Sequence, residues 1–199
     1  ALIDKDAIFT AEGGQLTASG AKVIGQIVPY QGKYGISKNP ESFAYKGIRK
    51  YFTDKNKGVV LRLSRDGITE ISQAGMRRYF KDNLALSDKI LGAYDDDQDT
   101  YVVSLQGNSI TNKYNTLSFD ETVKGWVSFY SYKPDFAFSL NKNYYTISGN
   151  DVWHHYNNSE FNSFYKNLNT NLNNYVSSNI TFIANTPPNI VKNFNIINY

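Results

Sequence analysis

The stretch Arg49–Ile71, RKYFTDKNKGVVLRLSRDGITEI, decides the fold class. Arg49 to Thr53 reads as a strand, and Asp54-Lys55-Asn56-Lys57-Gly58 as a hairpin loop with Gly58 available for a positive φ. Val59, Leu61 and Leu63 then alternate with Val60, Arg62 and Ser64, so one face is buried and the other is mixed. Arg65-Asp66-Gly67 turns the chain into a further strand over Ile68–Ile71. Strands joined by tight polar turns make an antiparallel meander.

The same pattern recurs downstream. Ile90–Tyr94 and Thr100–Leu105 flank the acidic loop Asp95-Asp96-Asp97-Gln98-Asp99. Asn115–Phe119 and Gly125–Ser131 flank Asp120-Glu121-Thr122-Val123-Lys124. Tyr144–Ser148 and Asp151–His155 flank Gly149-Asn150, a two-residue loop of the favoured primed type. Hairpins every ~10–12 residues are the spacing of a sandwich, barrel or propeller. A strand, an acidic loop and an aromatic-led strand occur twice, at Tyr94 to Tyr101 and Phe119 to Trp126, an echo of the kind that β-propeller blades produce. Strict alternation over Gly125–Ser131 places Trp126, Ser128 and Tyr130 on one face and Val127 and Phe129 on the other.

One helix interrupts the strands, near residues 73–84. Ser72 is placed to cap it, and Met76, Tyr79, Phe80, Asn83 and Leu84 form its apolar stripe. Arg77, Arg78, Lys81 and Asp82 take the other side, which reads as a solvated face. Residues 1–48 read as strands and loops leading into the sheet: Ala7-Ile8-Phe9 and Val23 to Val28 are apolar, Gly13-Gly14 and Pro29 break them, and Lys38 to Ser42 is a turn. Residues 49–155 are the propeller-like antiparallel region. Residues 156–199 form an Asn- and aromatic-rich segment. Phe161, Phe164, Tyr165, Leu168 and Leu172 have helical spacing there, so a second helix or a long loop is expected, followed by a strand at Asn179–Asn185 and a break at Thr186-Pro187-Pro188-Asn189. The apolar end at Tyr199 and the non-Met start suggest part of a larger chain.

Composition agrees with the strands. Tyr 16, Phe 12 and Trp 2 against a single Met favour pleated, aromatic-packed surfaces. Twenty of the twenty-three asparagines lie after residue 100, where no arginine occurs, and Asn suits turns. Cysteine is absent, which excludes disulfides and Cys-zinc sites. A formal charge of +3 is too mild to argue by itself for nucleic acid or membrane. No apolar run approaches the ~18 residues of a membrane-spanning helix, so no membrane insertion is expected.

Candidate chemistry is sparse. Asp95, Asp97 and Asp99 alternate as calcium ligands do, but an EF-hand starting at Asp95 needs Gly and Glu where Thr100 and Gln106 stand. His154-His155 is the only histidine pair, and neighbours on a strand point to opposite faces. Ser148 is near in sequence but lies in no nucleophile elbow. Asp120-Glu121 is the carboxylate pair to weigh for glycoside hydrolysis, and an acidic turn is the simpler reading. Trp126, Tyr130, Tyr132, Trp153 and Tyr156 would stack on sugars if exposed and pack the core if not. No catalytic, cofactor-binding or metal-binding residue is assigned, no cofactor is implied, and the chain is expected not to be an enzyme.

Three segments, Tyr34–Ala44, Arg49–Ile68 and Gly125–Ser131, resemble virion structural proteins of tailed bacteriophages. The similarity is to the tail nozzle or muzzle proteins of short-tailed phages, including crAss-like phages. That resemblance implies a β-propeller-containing protein in a ring of identical subunits, in contact with neighbouring tail or portal-complex proteins and with the rest of its own polypeptide. It further implies a virion location after assembly in the host cytoplasm, a role in virion assembly and the genome-ejection path, and transient, non-specific contact with genomic DNA. The rival readings are a glycan-binding adhesin module of the tail and a propeller-type glycoside hydrolase or depolymerase. The fold expected is all-β, mainly antiparallel, with one or two short helices.

Overall fold

The computed structural model describes residues 30–107, 113–157 and 163–165 with their side chains, and the backbone of five short strands outside them. Near the start lie β1 (Leu2–Ile3), β2 (Ala7–Ala11), β3 (Gly14–Ala18) and β4 (Gln26–Ile27); β1 pairs with β4 and β2 with β3. A 3-10 turn at Pro40–Ser42 leads into the first large sheet, β5 (Ala44–Lys46), β6 (Arg49–Asp54), β7 (Val59–Ser64) and β8 (Gly67–Glu70). The helix α1 (Arg77–Leu86) follows. The second sheet is β9 (Lys89–Asp95), β10 (Thr100–Gln106), β11 (Tyr114–Asp120) and β12 (Gly125–Tyr130). The third is β13 (Phe136–Leu140), β14 (Asn143–Ser148) and β15 (Asp151–His154). A short pair, β16 (Ser163–Phe164) and β17 (Val176–Ser177), comes last.

Each large sheet is an open antiparallel meander in chain order. The mostly antiparallel β fold with a helix is therefore the one the sequence leads to. The opening strands of the three sheets lie together, with β9 beside both β5 and β13. The second sheet is thus covered on both sides. Ile90 and Tyr94 of β9 face the first sheet and α1, whereas Leu91 and Ala93 face the third.

Gly92 of β9 faces the 3-10 turn that leads into the first sheet. A Cβ there would fall 2.0 Å from the Ser42 carbonyl oxygen, so only glycine admits the 3-10 turn. That same carbonyl accepts the Tyr101 hydroxyl at 2.8 Å, and the Ser42 hydroxyl accepts the Thr53 N–H at 3.1 Å. The turn is therefore tied to β6 and β10 at once.

Four details differ from the sequence reading. The helix runs over Arg77–Leu86 instead of 73–84, because Ile71–Gln73 is a 3-10 turn and Gly75 takes φ +76 before the helix begins. Ser72 is no cap: its buried hydroxyl accepts the Val60 N–H at 3.2 Å. A β-bulge shifts the pairing of β11 with β12, so that Ser118 opposes Ser128 but Phe119 opposes Trp126. The extra residue breaks the strict alternation and turns Trp126 and Phe129 to the same side. There Trp126 lies 4.4 Å from Phe80 and Phe129 lies 5.5 Å from Tyr79, while Tyr130 faces Tyr132. Ser163-Phe164 is a short strand, neither helix nor loop; the rest of the segment expected as a second helix or long loop, the strand at Asn179–Asn185 and the break after it lie outside the residues described with side chains.

Candidate functional site

The neighbouring acids Asp120 and Glu121 do different work. Asp120 Oδ1 accepts the N–H groups of Thr122 and Val123 at 2.6 and 3.2 Å, which closes its own turn. Glu121 reaches across to the first sheet. It accepts the Tyr51 hydroxyl at 2.9 Å and an Arg62 N–H at 3.0 Å, with the Arg49 Nε 4.0 Å away. Arg62 also binds Asp66 at 3.0 Å. The pair therefore forms a turn and an ionic latch between two sheets. It does not form two carboxylates facing across a cleft, as glycoside hydrolysis needs.

The acidic hairpin 95–99 is similarly committed. Asp95 Oδ1 accepts the N–H groups of Asp97 and Gln98 at 3.0 and 3.1 Å, and its other oxygen accepts the Tyr156 hydroxyl. Asp96 pairs with Lys46, and Asp99 accepts the Tyr94 hydroxyl at 3.0 Å. Burial raises the Asp95 carboxyl above its ordinary range. Among the described residues no three His, Asp or Glu side chains are grouped to hold a metal ion.

The histidines point apart. His154 is exposed and stacks on Tyr145 at 4.9 Å. His155 is buried between Tyr132 and Tyr144, with its Nε2 2.7 Å from the Thr146 hydroxyl. Burial, with the charge of His154 adding to it, lowers its pKa from 6.5 to about 4. Ser148 pairs with Asp151 at the far end of the same hairpin, whereas the His155 N–H bonds the Tyr144 carbonyl, so no serine-histidine dyad forms between them.

The five aromatics flagged in the sequence are engaged by neighbours. Trp126 is half-buried between Phe80 and Phe119 and donates its indole N–H to the Ile71 carbonyl at 3.1 Å. Tyr132 is buried and Tyr130 stacks on it at 5.3 Å. Trp153 packs on Tyr165, and Tyr156 holds Asp95 while the residue stays 42% exposed.

Sequence reasoning missed the polar layer between the second sheet and the segment that leads into the third. Thr116 Oγ1 lies 2.8 Å from the Tyr132 carbonyl and 3.0 Å from Ser104 Oγ. The Gln106 amide donates to the Pro134 carbonyl at 2.6 Å and to Ser104 at 3.1 Å. The signal was present: Ser104 and Gln106 alternate with Val103 and Leu105, and Thr116 and Ser118 with Leu117 and Phe119. Sequence reasoning also missed an open groove of about 760 Å³ beside α1. It is lined by Tyr34, Lys57, Gly58, Val59 and Glu70, together with Arg77, Arg78, Lys81 and Asp82.

The arrangement is one of interlocked sheets whose ionisable groups hold turns and interfaces. Compared with known proteins, the chain matches a model of the Crassvirus muzzle protein family over residues 5–150. No curated protein matches it.

Proposed function

The chain belongs to the Crassvirus muzzle protein family, and from that membership we propose that its three sheets are successive blades of a propeller-like wall around the path by which the genome leaves the virion. That membership makes it a structural protein of the phage tail. The observation that carries the finer reading is the placement of β9 beside both β5 and β13. In a propeller each four-stranded blade presents one strand to the axis, and those strands are neighbours around it. Here each meander opens on the strand that meets its counterparts.

On this reading the chain catalyses no reaction, and its work is mechanical. Glu121, Asp95 and His155 serve as joints between elements. Identical subunits form a ring, neighbouring tail or portal-complex proteins bound it, and DNA passes with transient, non-specific contact. The division at residues 48 and 155 separates the lead-in, the propeller-like region and an Asn-rich extension. Assembly takes place in the host cytoplasm.

Mass spectrometry of purified virions and of their detached tails tests the reading. Peptides of residues 30–157 are expected in the tail fraction at a multiple of the copy number of a single-copy tail component. Their absence from virions would overturn it.

A further inference from the structure

The groove beside α1 joins cations from two parts of the chain. Lys57 stands on the turn between β6 and β7, and Arg77, Arg78 and Lys81 stand on α1. Gly58 brings the turn and the helix together, since a Cβ on it would lie 2.8 Å from the Lys81 Cα. All four cationic side chains are exposed.

Their partners are unequal. Arg78 has Asp82 at 3.8 Å. Lys57 lies over the Tyr34 ring, 4.4 Å from its centre. Among the described residues, neither Arg77 nor Lys81 has a carboxylate within salt-bridge distance. Of the two acids that line the groove, Asp82 pairs with Arg78 and Glu70 accepts hydrogen bonds from Tyr34 and Gln73.

We infer that this groove binds the phosphate backbone of duplex DNA without reading its sequence. Three observations favour that occupant. Lys57, Arg77 and Lys81 project into an open groove in place of a closed pocket. The wall is mostly backbone and charged side chains, and its one aromatic ring, Tyr34, is covered by Lys57. The helix is ten residues long and carries two adjacent arginines on an exposed face, and a guanidinium takes two phosphate oxygens at once. The inference rests on the conduit reading only for the source of the DNA. Presence in virions and affinity for DNA are separate measurements, so either can fail alone.

The test is fluorescence anisotropy of the full 199-residue chain with a labelled duplex of mixed sequence, over a series of salt concentrations. Each neutralised phosphate adds about 0.9 to the slope of log affinity against log salt, so three cations predict a slope of about 3. The variant Lys57→Gln/Arg77→Gln/Lys81→Gln should bind at least tenfold more weakly at low salt and lose most of that slope. The variant Lys57→Arg/Arg77→Lys/Lys81→Arg should keep both. Lys50→Gln/Lys124→Asn/Lys142→Asn, with the same charge change elsewhere, should also keep both. Circular dichroism and thermal unfolding establish that each variant is folded. Equal losses in the two neutralised variants would overturn the groove as the site, because net charge alone would then explain binding. No binding by the wild type at low salt, or tighter binding to polyglutamate than to DNA, would overturn it as well.

Discussion

The two interfaces made by the second sheet are built differently. Against the first sheet and α1 it turns Tyr94, Tyr101, Val103, Leu105, Leu117 and Phe119, and the junction is apolar and stacked. Tyr51 lies 4.8 Å from Tyr101 and 5.7 Å from Tyr94, ring on ring. Against the third sheet it turns Leu91, Ala93 and Val102, while Ser104, Gln106 and Thr116 hydrogen-bond one another and the Tyr132 and Pro134 carbonyls of the segment that enters that sheet, where Tyr132 and Tyr144 enclose the neutral His155. The first interface draws its strength from area and shape. The second depends on the hydrogen bonds of Ser104, Gln106 and Thr116, because a buried donor or acceptor left alone costs about 1–3 kcal/mol. The first joint therefore draws on apolar area with the Glu121 latch beside it, and the second on neutral hydrogen bonds next to a buried histidine.

The most damaging single change should be Gly92→Ala. Its Cβ would meet the Ser42 carbonyl, and backbone cannot swing aside as a flexible side chain does. A loss of about 3 kcal/mol or more is expected in urea denaturation. A loss under about 1 kcal/mol would show that the 3-10 turn is not locked against β9, and the contrast between a tight and an adaptable interface would collapse.

Acid should act through the tyrosine cluster around His155, behind the second interface. Burial keeps His155 neutral, so the unfolded chain takes up a proton that the folded chain refuses. Stability is full above about pH 6.5 and declines as the pH falls towards about 4. The shift corresponds to about 3 kcal/mol at most. Asp95 works the other way, since its raised pKa favours the folded state as its carboxyl protonates, and it offsets part of the loss at the acid end. His155→Leu should flatten the profile between pH 6.5 and 4. An unchanged profile in that variant would place the acid sensitivity elsewhere.

Trp126→Ala samples the first interface at its rim. The ring is only half-buried, so a cost of about 2 kcal/mol is expected, below the range for a fully buried tryptophan. An effect above about 4 kcal/mol would mean that the rim is as tightly packed as the centre. Glu121→Gln should cost least, about 1 kcal/mol. It removes the charge opposite Arg62 but leaves an oxygen for the Tyr51 hydroxyl. Raising salt should narrow the gap between wild type and variant, and a gap that widens with salt would contradict an ionic latch.

The fold was legible where turns carried their usual signals. Gly58, Gly67 and Gly149 all take positive φ in hairpin turns, and the strands around them stand close to where the sequence places them. The strand β13 was missed because its hairpin has no glycine: Asn141 and Lys142 adopt φ 52 and 67 themselves. The helix start was misread because Ser72, a good cap by composition, is claimed by Val60 across the sheet. Tertiary hydrogen bonding overrode a local preference there. The faces of β12 were misassigned because a bulge leaves no mark in Trp126-Val127-Ser128 that distinguishes it from plain alternation. Gly92 could be seen only as a glycine inside a strand, and what it accommodates lies fifty residues earlier, at Ser42.

Cryo-electron microscopy of the phage tail tests the central claim most directly, since it would show the sheets in place. The account predicts β5, β9 and β13 side by side around a common axis, in a subunit repeated about the tail and facing the genome path. Three sheets stacked in a line with no shared axis, or a single copy on the outer surface of the tail, would contradict it.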